Sequence, residues 1–279
     1  SGEMLLRVMT FAAGLLGLAS SAGCDGCNEG GFDAGVIDTP VVGGTFSLAW
    51  TLLDQTTNKP VTCDKLDPNA TVFVQASRPG TGGTESFACK NMQATSIATF
   101  PPSIYRFSYE LHVAANGQAL SIATAPDQNG VTISSGQNVV LAPITFQVDA
   151  TGKLELMLHA GAAGNCAGGA GITGFTISLE HAGGPGDTGC APVVFALSGG
   201  GTYDASDCVT PAVSPRCIDA GETLTVASLP SGPYQIHIRG KKGSLDCWSN
   251  DDALRVPPQG LTLSQTLNLA LASQTPGCP

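Results

Sequence analysis

One order of landmarks occurs twice in this chain. Gly44-Thr45-Phe46-Ser47-Leu48 precedes Cys63, and Gly152-Lys153-Leu154-Glu155-Leu156 precedes Cys166. Val72 follows Cys63 at the distance at which Phe175 follows Cys166, so Thr71-Val72-Phe73-Val74 corresponds to Gly174-Phe175-Thr176-Ile177. Cys89 then matches Cys190, and Phe100-Pro101-Pro102-Ser103-Ile104-Tyr105 matches Leu229-Pro230-Ser231-Gly232-Pro233-Tyr234. A repeat of about one hundred residues is long enough for each copy to own a core, which predicts duplicated domains and not a solenoid.

Inside each copy the apolar residues recur with period two, the mark of a half-buried strand. Phe46, Leu48, Trp50 and Leu52 form one face of the first strand, and Tyr105, Phe107, Tyr109, Leu111 and Val113 one face of another. Asn116-Gly117 follows as a two-residue hairpin turn, because both residues accept positive φ. Further strands are predicted over 71–76, 86–90, 96–100, 119–124, 131–133, 138–141 and 144–148, and Tyr234, Ile236 and Ile238 alternate in the second copy. With 36 glycines, 18 prolines and 12% charged residues the punctuation is that of an all-β protein. The expected fold is two tandem antiparallel β-sandwich domains, 44–149 and 150–279.

Between Cys190 and Leu229 the second copy is longer than the first, so 191–228 is an insertion, expected to be a surface excursion closed by a disulfide. Ten cysteines in an exported chain point to bridges. Correspondence of the copies pairs Cys63 with Cys89 and Cys166 with Cys190. The cysteines peculiar to the second copy then pair as Cys208 with Cys217 and Cys247 with Cys278. The rival arrangement joins Cys217 to Cys247 and Cys208 to Cys278, and spacing does not decide between them.

The first 23 residues have the three regions of a secretory signal: Arg7, an apolar run over Val8 to Leu18, and small residues up to Gly23. The run is too short for the roughly 20 residues of a membrane-crossing helix. Ser21-Ala22-Gly23-Cys24 resembles the lipobox of bacterial lipoproteins, with Ser21 where that family prefers leucine. The resemblance implies a lipid on Cys24, hence a protein of the cell envelope held to a membrane, the outer membrane ahead of the inner. The other reading is cleavage near Ala22 with Cys24 bonded to Cys27. Residues 24–43, rich in Gly, Asp and Pro, read as a tether. The net charge of −10 opposes binding to phosphate backbones, so no nucleic-acid partner is expected.

Leu229-Pro230-Ser231-Gly232-Pro233-Tyr234-Gln235-Ile236, and its weaker partner beginning at Phe100, resemble the signature of carboxypeptidase regulatory-like and transthyretin-like sandwiches. The whole resembles envelope lipoproteins of tandem immunoglobulin-like or transthyretin-like domains. A sandwich implies no chemistry by itself.

Chemical motifs are sparse. No Gly-x-Ser-x-Gly occurs, so no nucleophile elbow is expected. His112, His159, His181 and His237 stand apart from other metal-ligating residues, and Gly199-Gly200-Gly201 lacks the Lys and helix of a phosphate loop. Asn250, Asp251 and Asp252, with Asp204 and Asp207, are the nearest approach to a calcium set, and read as acid-rich turns. Asp127-Gln128-Asn129-Gly130 reads as a turn. No catalytic residue, metal or cofactor is expected. Trp248 and Tyr203, in or beside the segments that distinguish the second copy, are the candidate ligand-binding aromatics, with a glycan or an envelope protein as partner. The expected function is a non-catalytic binding or structural module, and the alternative is a polysaccharide-acting enzyme or its carbohydrate-binding accessory.

Overall fold

The computed structural model describes residues 42–115, 118–183, 188–272 and 276–278. The signal segment, Cys24, Cys27, all of the tether but Val42 and Gly43, and the Asn116-Gly117 turn lie outside the described residues. Two hydrophobic clusters, each sandwiched between two sheets, make two β-sandwich domains.

In the first domain β1 (Thr45–Asp54) lies between β4 (Gln93–Thr95) on one side and, on the other, β7 (Asn138–Val140) followed by β8 (Ile144–Val148). The facing sheet has the order β3 (Thr81–Ala88), β2 (Thr71–Arg78), β5 (Ser103–Ala115), β6 (Gln118–Ile133). Alternation decides which side chains go inside: Phe46, Leu48, Trp50 and Leu52 are at most 2% exposed, each burial stabilising by about 1.5–3 kcal/mol. A single helical turn, α1 (Cys63–Leu66), and a 3₁₀ turn at Cys89–Asn91 bring Cys63 and Cys89 together. Trp50 packs above them and donates its indole N–H to the Cys89 carbonyl at 2.9 Å.

In the second domain the sheets are β13 (Thr202–Ala205), β12 (Val193–Leu197), β14 (Thr223–Pro230), β9 (Thr151–His159), β17 (Thr262–Asn268), and β11 (Thr188–Cys190), β10 (Gly174–Ala182), β15 (Gly232–Lys242), β16 (Leu245–Val256), β18 (Ala270–Leu271). The duplicated landmarks occupy equivalent places, β1 with β9, β2 with β10 and β5 with β15. Tyr105 and Tyr234 each donate a hydroxyl to the carbonyl of the proline four residues earlier, Pro101 at 2.9 Å and Pro230 at 2.7 Å. This tyrosine corner fixes how the chain enters the strand in both copies. The paired glycines Gly44 and Gly152 also share a cause, since a Cβ would lie 2.4 Å from the Ser134 carbonyl oxygen in one and 1.9 Å from that of Pro257 in the other.

Several expectations are corrected. The pairing is not wholly antiparallel: β7 and β8 run parallel to β1, and β17 parallel to β9. β7 and β17 each follow a strand of the opposite sheet and cross back to run in the direction of the first strand, and β8 continues in the direction of β7. Residues 96–100 form no strand. Ser96 accepts the Phe46 N–H on its hydroxyl and donates its own N–H to the Phe46 carbonyl, after which the chain leaves the sheet with Ile97 91% exposed. Asp127 to Gly130 are part of β6, where a register shift falls opposite Phe107.

The insertion is no surface excursion. It supplies β12 and β13, joined by the turn at Gly199-Gly200-Gly201, and buries Val193, Phe195, Leu197, Tyr203 and Ala205. Its bridges are Cys190–Cys208 and Cys166–Cys217, in place of Cys166–Cys190 and Cys208–Cys217, and neither bridge of the rival arrangement is present. Length explains the difference. In the first domain β3 returns along the whole of β2, Ala88 facing Thr71, and delivers Cys89 to the end where Cys63 sits. In the second, β11 covers only Glu180 to Ala182 of β10, so Cys190 is left at the far end from Cys166, about 20 Å away at the rise of a strand.

Among the described residues the rest of β10 has no neighbouring strand on that side, and the insertion caps it instead. Ser214 donates its N–H to the Phe175 carbonyl and accepts the Phe175 N–H on Oγ at 2.8 Å. Tyr203 accepts the Ile177 N–H at 2.8 Å, and the Leu179 carbonyl receives the Ala191 N–H at 2.8 Å. The two bridges pin the capping segment at either end. Cys247–Cys278 is formed as expected and ties β16 to residues 276–278.

Candidate functional site at the junction of the domains

The residues singled out for chemistry are dispersed and paired locally. His112 hydrogen-bonds Glu110 at 2.8 Å and stacks on Phe73, and the hydrogen bond to His112 holds the Glu110 carboxyl below its usual range. His237 meets Asp251 at 2.6 Å, and Arg239 binds the same carboxylate. Burial works to raise the Asp251 pKa, and the Arg239 and His237 hydrogen bonds outweigh it and lower it. Asp204 and Asp207 close their own turns, accepting from Ser206 and from Val209 and Thr210. Asp252 accepts from the Ala253 amide at 2.8 Å and from Gln265 at 3.2 Å. Among the described residues no three His, Cys, Asp or Glu side chains gather as a metal site, and no helix is long and apolar enough to cross a membrane.

Tyr203 is not a surface aromatic. It is 1% exposed, and its hydroxyl, which accepts the Ile177 N–H, donates to the Ala212 carbonyl at 2.8 Å. Desolvation raises its pKa. Burial follows from the alternation of Tyr203 and Ala205 against Val193, Phe195 and Leu197 across the triple-glycine turn, a hairpin signal present in the sequence. Trp248 is half-buried against the core of the second domain, and its Nε1 has no hydrogen-bond partner among the described residues.

What the fold does bring together is the junction. Only Asp149 and Ala150 separate β8 from β9, and both domains grip them. The Ala150 N–H is donated to Asp54 Oδ2 of the first domain at 3.3 Å, and the Ala150 carbonyl accepts the Ser231 N–H of the second at 2.7 Å. Gln259 donates its N–H to the Asp149 carbonyl at 2.9 Å. Asp54 is 8% exposed and also receives the Thr56 and Thr57 amides and the Thr57 hydroxyl, and these Thr57 bonds hold its pKa below the usual carboxylate value. Arg255 reaches from β16 to donate to the Asp64 carbonyl of α1 at 2.6 Å.

Two clefts flank this braced linker. One, about 500 Å³, includes Lys59, Lys65, Asp149, His181 and Ser231. The other, about 390 Å³, is walled by Leu66 and Val113 of the first domain and Pro257, Pro258, Leu261 and Leu263 of the second, with Arg255 and Asp67 as its charged groups. Asp67 is spent on the backbone: one oxygen accepts the Asn69 N–H at 2.9 Å, the other the Ala114 N–H at 2.6 Å. None of the junction residues was marked as a site in the sequence, because they come from separate stretches of the chain that only the packing of two domains unites.

No protein-family model matches the chain, and no curated protein matches it. Among solved structures it is similar to the Bacillus anthracis TIE protein, at 10% identity and a TM-score of 0.33, over 82% of this chain and 34% of that one. It is similar to a streptococcal ancillary pilin at 11% identity and a TM-score of 0.24, over 83% of this chain and 64% of that one. A shaft pilin of Lactobacillus rhamnosus GG gives 10% identity and a TM-score of 0.28, over 84% of this chain and 100% of that one. The chain therefore spans about a third of the length of the first of these proteins.

Proposed function

We propose that the chain is an exported cell-envelope protein, anchored by a lipid on Cys24, that acts as a non-catalytic binding or structural module. What supports this reading is Ser21-Ala22-Gly23-Cys24 at the end of the signal segment and the all-β sandwich pair of the described residues, in which no three His, Cys, Asp or Glu side chains gather. Val42 enters beside Ser135 and Gly136, at the start of β1, whereas Asp54, at the end of β1, is at the junction. Ten strand residues span about 30 Å, so Val42 and the junction lie at opposite ends of the first domain. The braced linker and the four disulfides of the described residues suit a domain pair that must keep its form outside the cytosol. The test is the Cys24→Ala chain expressed in its own host. It is expected in the soluble fraction with all four bridges formed; a variant that still sediments with membranes after an alkaline wash refutes the anchor.

A further inference from the structure

The apolar cleft at the junction has walls from both domains and one cation. Pockets of this kind, mostly apolar with a few polar groups and placed between domains, are the usual form of small-molecule sites, and about 390 Å³ is within their size range. The charges in it are not equivalent. Both oxygens of Asp67 are taken by backbone N–H groups, and Asp67 is 8% exposed. Arg255 donates one Nη1 hydrogen bond, to the Asp64 carbonyl, while Nε and Nη2 have no partner among the described residues. A guanidinium with a free edge beside apolar walls matches a carboxylate that carries an apolar body, since guanidinium and carboxylate pair in two parallel hydrogen bonds.

We infer that this cleft binds a small amphipathic carboxylate, an unbranched alkyl acid of medium length, with its chain between Leu66, Val113, Pro257 and Leu263 and its head on Arg255. The inference rests on the reading of the chain as a binding module. It is independent of the anchor: fractionation of the Cys24→Ala chain decides the anchor alone, and the titration below decides the ligand alone.

The experiment is isothermal titration of the purified full chain, in membrane-free buffer at neutral pH, with decanoate kept below its micelle concentration, and with decanol as the uncharged probe of equal length. Decanoate is expected to bind with one site per chain, and decanol about tenfold or more weaker, the factor that one hydrogen bond to a charged group supplies. Arg255→Gln should weaken decanoate by a similar factor and leave decanol unchanged. Arg255→Lys should retain a preference for decanoate over decanol, which a variant damaged in folding would not. Ala114→Phe, which extends a ring into the cleft from an exposed strand position, should abolish binding of both probes. Decanoate without saturable binding up to millimolar concentration overturns the inference, as does decanol binding as tightly as decanoate, or Arg255→Gln binding decanoate like the parent.

Discussion

Replacing Ser214 by Ala tests whether the insertion stands in for a missing strand. Ser214 is 5% exposed; its Oγ accepts the Phe175 N–H at 2.8 Å and donates to the Arg216 carbonyl at 2.6 Å. Alanine keeps the backbone bond from the Ser214 N–H to the Phe175 carbonyl but leaves the Phe175 N–H, on a residue at 0% exposure, without an acceptor. A buried donor left unmade costs about 1–3 kcal/mol; the Arg216 carbonyl also loses its donor, and little volume is removed. At about 3–5 °C per kcal/mol for a domain of this size, the second domain should melt roughly 3–15 °C lower. The two tryptophans make the measurement domain-specific, since Trp50 reports the first core and Trp248 the second. Denaturant unfolding followed by fluorescence should lose stability in the Trp248 transition and not in that of Trp50. Amide exchange should accelerate at Phe175. A Ser214→Ala chain whose stability matches the parent's, with the Phe175 amide as protected as before, would refute the capping argument.

The two bridges of the second domain differ in the loop each closes, 51 residues for Cys166–Cys217 and 18 for Cys190–Cys208. Loop entropy predicts about 4 kcal/mol for the longer and about 3 for the shorter, so the Cys166→Ser, Cys217→Ser double variant should be the less stable in denaturant titration. A non-reducing peptide map should show the same two pairs. The Asp54 carboxyl, whose folded pKa is lowered, contributes stability that is complete above its unfolded value near pH 3.9 and is lost as pH falls through the folded value below that. The melting temperature of Asp54→Asn should therefore fall less steeply than that of the parent below about pH 4, and parallel acid limbs would count against Asp54 as the brace of the linker.

What could be read from the residues was local order and repetition. The alternation at Phe46 to Leu52 and at Tyr105 to Val113 predicts both the strand and the buried face, because a period of two leaves one choice of side once a core exists. The Pro-to-Tyr spacing repeated in both copies marks a hydrogen bond that closes over four residues, and short-range closure survives duplication. The bridges did not follow the same logic. Correspondence of cysteines between copies holds only if the strands between them have the same lengths, and β11 stops where β3 continues. A cysteine map inherited by alignment thus fails wherever a returning strand is shortened, even when every cysteine in it is correctly placed in its copy.

The same shortening explains Tyr203. A sheet edge inside a domain cannot be left with bare N–H and C=O groups, because each buried one costs free energy comparable to a lost hydrogen bond. Once β11 no longer covers β10, Phe175 and Ile177 require acceptors from elsewhere, and polar side chains of the insertion supply them, the Ser214 hydroxyl for one and the Tyr203 hydroxyl for the other. Tyr203, which reads as a binding aromatic when taken singly, is thereby consumed in replacing a strand. The junction clefts are features that neither copy contains alone. The junction satisfies its backbone at Asp149 and Ala150 and still leaves the Arg255 guanidinium with donors to offer.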